Sequence, residues 1–141
     1  TSRTVNQKLN QTHFAKIIQE ACEVAGRVKL PVLSNLQKLS DVFNSEKCRH
    51  FFQEKNVLNI LAWEEEIFDN SLSSVLKKSL VNSKTPEIIN LFIGPEGGFS
   101  HEEIQLAKDQ EFITVTIGNR ILRTETASLA ILSMINYEFE L

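Results

Sequence analysis

Short apolar runs alternate with amphipathic segments over the second half of the chain. Residues 57–63 and 88–93 are apolar runs of strand length, and residues 112–117 are rich in β-branched and aromatic side chains. Amphipathic spacing predicts a helix over residues 71–80 and another that begins at Ser100. Strands that alternate with helices favour a mostly parallel sheet covered by helices on both faces. The predicted fold class is therefore α/β.

The first half of the chain is predicted to be helical. Residues 6–26 form an amphipathic pattern, and Gly26 suits the left-handed residue that ends a helix. A second short helix is predicted over residues 36–43. Residues 82–86 are predicted to be an exposed loop before the strand at 88. The apolar face of the first helix consists of Leu9, Phe14, Ile17, Ile18, Ala21, Val24 and Ala25.

Two helix starts carry capping signals. Ser100 stands three residues before Glu103, the spacing of a capping box, and Phe99 and Ile104 occupy the positions of a hydrophobic staple. Thr124 is predicted to cap the last helix.

The last helix is apolar around most of its circumference, and such helices usually bury two faces. We predict that its second face is a subunit contact. One stripe consists of Ala127, Ala130, Ile131, Met134 and Ile135, and the side chains predicted off that stripe are Leu129, Leu132 and Phe139.

Two loops hold the candidate chemistry. The loop at 94–98 contains three of the five glycines, and the loop at 117–123 contains Gly118 followed by two arginines. Each loop follows a predicted strand and precedes a predicted helix. Glycine permits positive φ angles and close approach of a ligand to the backbone. We expect the two loops to converge into one pocket.

The residues alone leave the ligand of these loops open. An ordinary strand-to-helix turn needs no ligand, and a glycine loop before a helix can also bind phosphate. Pro95 has no N–H to donate, and Glu96 would repel an anion, so a phosphate site is disfavoured. The Glu96 carboxylate is compatible with a cationic ligand and is also placed to accept hydrogen bonds from neighbouring loop amides.

Composition narrows the class of protein. The chain has 141 residues, 42% of them hydrophobic, which is sufficient for one domain with a core. No apolar run approaches a membrane span and no secretion signal is evident, so we expect a cytoplasmic protein with no membrane partner. The two cysteines have no metal-ligand spacing, so no metal is predicted. The net charge of −3 is unfavourable for binding RNA phosphates.

Two C-terminal motifs carry a family resemblance. Residues 94–98, Gly-Pro-Glu-Gly-Gly, and residues 120–127, Arg-Ile-Leu-Arg-Thr-Glu-Thr-Ala, resemble the signature of the RsmE family of ribosomal RNA uridine-N3 methyltransferases. Residues 20–27, followed by Leu30 and Pro31, resemble a helix end of the same family, although Val24 replaces the usual glutamine. The resemblance implies a SPOUT fold with a C-terminal trefoil knot, S-adenosylmethionine as cofactor, small-subunit (16S) ribosomal RNA as partner, and a homodimer.

The resemblance also implies roles for individual residues. Arg123 is the predicted catalytic residue, with Arg120 and Glu125 as further candidates, although helix support explains Glu125 equally well. Arg27 and Arg120 are the predicted RNA contacts. The predicted cofactor contacts are Leu61, Ala62, Ile93, Gly94, Glu96, Gly97, Gly98, Ile117, Gly118, Ile121, Leu122, Arg123, Thr126 and Ala127.

Relative to the family, the chain is expected to be one SPOUT methyltransferase domain, residues 1–141, truncated at its N-terminus. The PUA-like RNA-binding domain of the family is expected to be absent, which accounts for the acidic balance. Two alternatives stay open. One is another SPOUT enzyme, such as a transfer-RNA ribose methyltransferase, and the other is a non-catalytic module that binds cofactor or RNA.

Overall fold

A three-stranded parallel sheet forms the core of the chain from Leu39 onward in the computed structural model, which describes residues 10–66, 70–81 and 85–140. The strands are β1 (Val57–Ala62), β2 (Ile88–Ile93) and β3 (Ile113–Val115), in the order β2-β1-β3. Ala62 pairs with Ile93 on one side and with Val115 on the other. The carboxyl ends of all three strands therefore lie at the same edge of the sheet.

Helices cover both faces of this sheet, as predicted. Successive side chains of a strand point to opposite faces, so Ile60 and Leu61 enter different apolar clusters. Ile60 packs with residues of α4 (Leu72–Val81) and α6 (Thr124–Phe139). Leu61 packs with residues of α2 (Leu39–Asn44), α3 (Glu46–Phe52) and α5 (His101–Asp109).

Aromatic rings fill the second cluster. The rings of Phe43, Phe52, Phe92 and Phe112 lie with centroids 5.0 to 6.3 Å apart, mostly in edge-on or tilted arrangements. These are the geometries that aromatic pairs prefer. The cluster anchors α2 and α3 against the sheet.

A buried asparagine joins α3 to the sheet. The Nδ2 group of Asn59 donates to the Phe52 carbonyl at 2.9 Å, and the Nδ2 group of Asn90 donates to Asn59 Oδ1 at 2.8 Å. Helix ends leave carbonyls without intrahelical partners. Asn59, which is 5% exposed, satisfies one of them at the end of α3.

The segment Ser2–Lys38 is a separate compact unit, with its described part from residue 10. Its helix α1 runs Gln11–Val24 with Asn10 as the N-cap, and residues 6–9 of the predicted helix lie outside the described residues. Gly26 has φ of 63°, which confirms the predicted left-handed stop.

Several predicted boundaries were displaced. α2 begins at Leu39 rather than residue 36, and α3 was not predicted, although the Ser45 hydroxyl accepts a bond from the Cys48 N–H at its start. The strand predicted over 112–117 is shorter because only 113–115 pair with β1, and Thr116 continues as an isolated bridge to Ser71. Within the predicted loop 82–86, residues 82–84 lie outside the described residues.

The two predicted helix caps had different outcomes. Ser100 forms the complete capping box with Glu103, with bonds of 2.9 and 3.2 Å, which confirms that prediction. The prediction for Thr124 is wrong, because Arg123 is the N-cap and provides no side-chain bond. The Thr124 hydroxyl is engaged elsewhere and donates to the Gly94 carbonyl at 2.8 Å.

The buried stripe of α6 also differs from the prediction. Phe139 is 8% exposed and continues the four-residue spacing of Ala127, Ile131 and Ile135, so its assignment off the stripe was wrong. The exposed large hydrophobic side chains of α6 are Leu129, Leu132 and Tyr137, at 70, 52 and 85%. In the part of the chain that the structure describes, no helix has the length and apolar character that a membrane span requires.

Candidate functional site

A cavity of ≈ 270 Å³ lies at the carboxyl edge of the sheet. Ligands of parallel α/β sheets characteristically bind outside the carboxyl ends of the strands. The loops that follow β1, β2 and β3 all contribute to the lining, which confirms that the two glycine loops converge. The lining residues are Ala62, Trp63, Glu64, Ile93, Gly94, Pro95, Glu96, Val115, Thr116, Ile117, Gly118, Asn119, Arg120, Ile121, Leu122, Arg123, Thr124 and Ala127.

A hydrogen bond ties the two glycine loops together. Thr124, at the first position of α6, donates through Oγ1 to the Gly94 carbonyl at 2.8 Å, across 30 residues of sequence. At Gly94, an added Cβ would lie 3.2 Å from the Phe99 ring. A side chain at position 94 would therefore crowd the ring of Phe99, which lies just before the N-cap of α5.

The loop after β3 is shaped by its own side chains. Thr116, which is 8% exposed, exchanges hydrogen bonds with the backbone of Gly118: its Oγ1 donates to the carbonyl at 3.1 Å and accepts from the N–H at 3.3 Å. Gly118 has φ of 134°, a conformation that side chains disfavour. The turn leaves Ile121 on the cavity lining with 83% of its surface exposed.

Charges of both signs line the cavity. Arg120 and Arg123 are exposed on the side of the β3–α6 loop, whereas Glu64 and Glu96 come from the loops after β1 and β2. The Glu64 carboxylate lies where a Cβ of Gly98 would stand, so the first two loops touch at this point. The cavity can therefore accept a ligand that combines cationic and anionic or electron-rich groups.

Trp63 is the aromatic side chain of the lining. Its backbone N–H donates to the Val115 carbonyl at 3.0 Å, which fixes the residue at the end of β1. The His101 ring lies edge-on to the indole with centroids 6.1 Å apart, and Lys108 Nζ lies 5.6 Å from the indole centroid. The sequence analysis had treated Trp63 only as the end of a strand.

The structure brings together most of the predicted site residues but not all. Leu61 is fully buried in the phenylalanine cluster, because its side chain points to the face covered by α2, α3 and α5 rather than to the strand end. Gly97 and Gly98 follow the lining segment of their loop without joining it, and Glu125 and Thr126 are exposed on the first turn of α6 outside the lining.

Arg27, one of the two predicted RNA contacts, is exposed in the separate unit Ser2–Lys38. Lining residues that the sequence analysis missed, beside Trp63, are Glu64, Pro95, Val115, Thr116, Asn119 and Thr124. Except for Thr124, which begins α6, these residues lie within two residues of the end of a predicted strand. Within residues 10–66, 70–81 and 85–140, no three His, Cys, Asp or Glu side chains form a group that could hold a metal ion.

Comparison with known proteins identifies the family. The model of the RNA methyltransferase domain matches residues 1–136. This chain belongs to the RNA methyltransferase family. Within that family it is similar to the ribosomal RNA small subunit methyltransferase E of Bacillus subtilis, with 34% identity over 140 residues. The predicted kinship with the RsmE family is thereby confirmed.

The match covers 95% of this chain and 49% of the Bacillus protein. The corresponding protein of Rickettsia conorii is 28% identical over 130 residues, which are 92% of this chain and 48% of that protein. The chain thus spans about half the length of these curated relatives.

Solved structures share the fold of this chain. The methyltransferase E of Neisseria gonorrhoeae bound to S-adenosyl methionine has a TM-score of 0.72 at 24% identity, covering 97% of this chain and 52% of that one. A putative methyltransferase of Legionella pneumophila, in complex with the same cofactor, has a TM-score of 0.61 at 28% identity, covering 96 and 52%.

Proposed function

We propose that this chain is the catalytic part of an enzyme that uses S-adenosylmethionine to methylate N3 of a uridine in small-subunit (16S) ribosomal RNA. The observation that carries the proposal is the cavity at the aligned ends of β1, β2 and β3, where two glycine loops are joined by the bond from Thr124 to Gly94. The similarity to the methyltransferase E proteins supports the choice of substrate.

The lining residues fit the chemistry of this cofactor. Adenine is flat and apolar on its faces, and Ile117, Ile121 and Leu122 supply aliphatic side chains at one part of the lining. Ile121 is a large apolar side chain left 83% exposed, which a bound ring would cover. Glu64 and Glu96 supply carboxylates for the ammonium and sulfonium groups. Bound there, the cofactor would supply an electrophilic methyl group.

The residues of the chain have two tasks in the reaction. Uridine N3 must lose its proton, and the resulting negative charge on the uracil carbonyls must be stabilised. Arg123, exposed on the lining, places a permanent cation there. Glu125, in the first turn of α6 outside the lining, or a water molecule accepts the proton. A positioned general base typically contributes ~10²–10⁴-fold, and alignment of the reactants can contribute about 7–11 kcal/mol.

The RNA has to present an unstacked base, as enzymes that modify base edges require. Arg120, exposed beside the cavity, and Arg27 are the proposed contacts to RNA phosphates. We further propose that the chain forms the trefoil knot of the SPOUT fold, that it works in the cytoplasm, and that the exposed face of α6 with Leu129, Leu132 and Tyr137 pairs two copies into a homodimer.

Calorimetry and a methylation assay test the proposal together. The chain is titrated with S-adenosylhomocysteine, in the absence and in the presence of competing ATP. Methyl transfer is measured separately with isolated small subunits and with transfer RNA as acceptors. Saturable binding that ATP does not displace, with methyl transfer to small subunits alone and the product identified as N3-methyluridine, is the expected result. Methylation of transfer-RNA ribose, or binding without any transfer, would contradict it.

A matched pair of variants at Arg123 and a single variant at Glu125 assign the roles. Arg123→Lys keeps a cation but loses the planar fork, and Arg123→Ala loses both, so single-turnover methylation should fall in the order wild type, lysine, alanine. Glu125→Gln should slow turnover by ~10²-fold or more if the carboxylate is the base, with cofactor affinity unchanged. An unaltered rate for Glu125→Gln would leave water as the proton acceptor.

A further inference from the structure

The cavity has two different surfaces that suit a flat ring. Ile117 packs against the cluster of α4 and α6, whereas Trp63 packs against the cluster of α5 and the phenylalanines. The two side chains therefore belong to opposite faces of the sheet, although both line the same cavity. A single adenine occupies one of these surfaces, and the other is available to a second ring.

The surroundings of Trp63 suit an RNA base. The indole is half-buried at the end of β1, and the edge-on contact with His101 and the position of Lys108 Nζ hold its orientation. Aromatic side chains that stack on bases, accompanied by cationic groups for the backbone, are the usual elements of single-stranded nucleic-acid sites. Lys108 on α5 places a cation beside the indole, and Arg123 places one on the cavity lining.

We propose that Trp63 is the stacking platform for the extruded target uracil and thereby positions it against the methyl donor. This inference rests on the proposed function, and it assigns the second ring surface of the same cavity. Trp63 is a positioning residue, because stacking orients the base without taking part in proton or methyl transfer. The aliphatic surface of Ile117, Ile121 and Leu122 is left to the adenine of the cofactor.

Fluorescence gives a direct test, since Trp63 is the one tryptophan of the sequence. The chain is saturated with S-adenosylhomocysteine and titrated with two RNA pentanucleotides, one with a central uridine between adenosines and one with an abasic site at that position. Quenching by the uridine RNA that clearly exceeds quenching by the abasic RNA is expected. Equal quenching by the two RNAs would overturn the proposal, and this measurement needs no variant to fold.

Substitutions separate stacking from packing. Trp63→Phe keeps an aromatic face and Trp63→Leu keeps only apolar bulk, so a packing role would tolerate both about equally. Base stacking contributes about 1–3 kcal/mol, so Trp63→Leu should weaken binding of the labelled uridine RNA by about fivefold to 150-fold. Trp63→Phe should recover most of that loss. Both variants should bind the abasic RNA and S-adenosylhomocysteine within about twofold of wild type, a smaller change than the 1 kcal/mol lower bound for stacking would produce.

The other outcomes are distinguishable. If Trp63→Leu weakens S-adenosylhomocysteine as strongly as uridine RNA, the indole belongs to the cofactor site and the proposal fails. If Trp63→Leu binds uridine RNA as wild type does, no stacking occurs and the proposal fails. If the wild-type chain does not bind S-adenosylhomocysteine but still discriminates uridine from abasic RNA, the proposed function fails, whereas the stacking of a uracil on Trp63 stands.

Discussion

The hydrogen bond from Thr124 to Gly94 is expected to determine how well the cavity holds its ligand. It is a 2.8 Å bond between the first residue of α6 and the loop after β2, and both residues line the cavity. Thr124→Val replaces the hydroxyl by a methyl group of similar size, so the shape is kept and the bond is lost. Thr124→Ser keeps the hydroxyl and loses the methyl group.

The magnitude follows from the environment of the bond. Thr124 and Gly94 are half-buried, and a net intramolecular hydrogen bond contributes about 0.5–1.5 kcal/mol. If the bond holds the loops in their ligand-binding arrangement, its loss in Thr124→Val should raise the dissociation constant for S-adenosylhomocysteine by about twofold to thirteenfold. Thr124→Ser should bind S-adenosylhomocysteine within about twofold of wild type, because it keeps the hydroxyl that donates to the Gly94 carbonyl.

Calorimetric titration of the three proteins is the assay, with urea unfolding as a parallel measurement. Ser128→Ala is the matched control, because Ser128 Oγ donates to the Thr124 carbonyl at 2.7 Å within α6 and bridges no loops. It should change stability slightly and leave ligand affinity unaltered. Wild-type affinity for Thr124→Val, or an equal loss in Ser128→Ala, would refute the argument that this bond organises the cavity.

Three further predictions concern the fold around the site. Asn59→Ala should lower the free energy of unfolding by about 1–3 kcal/mol in urea titrations, since it leaves a buried carbonyl at the end of α3 without its donor; a wild-type midpoint would contradict this. Gly98→Ala should lower the free energy of unfolding by about 1–2 kcal/mol or more, because φ at Gly98 is +68° and the Glu64 carboxylate occupies the position of the added Cβ. Gly97→Ala is the control and should be nearly neutral, because an added Cβ there meets open space. Equal effects of the two substitutions would show that the loop rearranges freely. The pKa of Glu102 is lowered from 4.5 by a hydrogen bond to its own backbone N–H and by the Ser100 hydroxyl, so its carboxylate stabilises the folded state above pH 4.5 and loses that effect as the pH falls through the lowered value. Glu102→Gln should therefore have a lower free energy of unfolding than wild type at neutral pH and approach the wild-type value in acid. A constant difference between the two unfolding curves at every pH would contradict this.

The strands and the edge that carries the site were predictable because their signals are local. Ile88–Ile93 is an apolar run that ends at glycine and proline, and the structure has a strand with those same bounds. Ser100 and Glu103 satisfy each other within one turn of helix, so their spacing alone was sufficient. Parallel strands place their carboxyl ends together, and the convergence of the two glycine loops followed from that geometry.

The wrong predictions for the last helix concern side chains whose contacts are with residues distant in the sequence rather than with their sequence neighbours. Thr124 has the right position and chemistry for a cap, but its hydroxyl reaches a carbonyl 30 residues earlier in the chain. Phe139 falls off the stripe that begins with Ala127 and Ala130, yet it fits a four-residue spacing that only the packing of α6 against α4 and β2 selects. Sequence spacing cannot decide between two such stripes on a helix that is apolar nearly all round.

Leu61 and Trp63 show why the lining itself required the fold. They lie two residues apart, so in an extended strand they share one face of the sheet, and both pack on the cluster of α5. Leu61 is fully enclosed there, whereas Trp63 stands beyond the last paired residue, Ala62, and its indole emerges at the edge where the cavity opens. The position of the strand end therefore turns one of two equivalent core positions into a site residue. If the strand ended two residues earlier, Leu61 would lie at the edge in place of Trp63, and no apolar pattern along the sequence specifies where the strand ends.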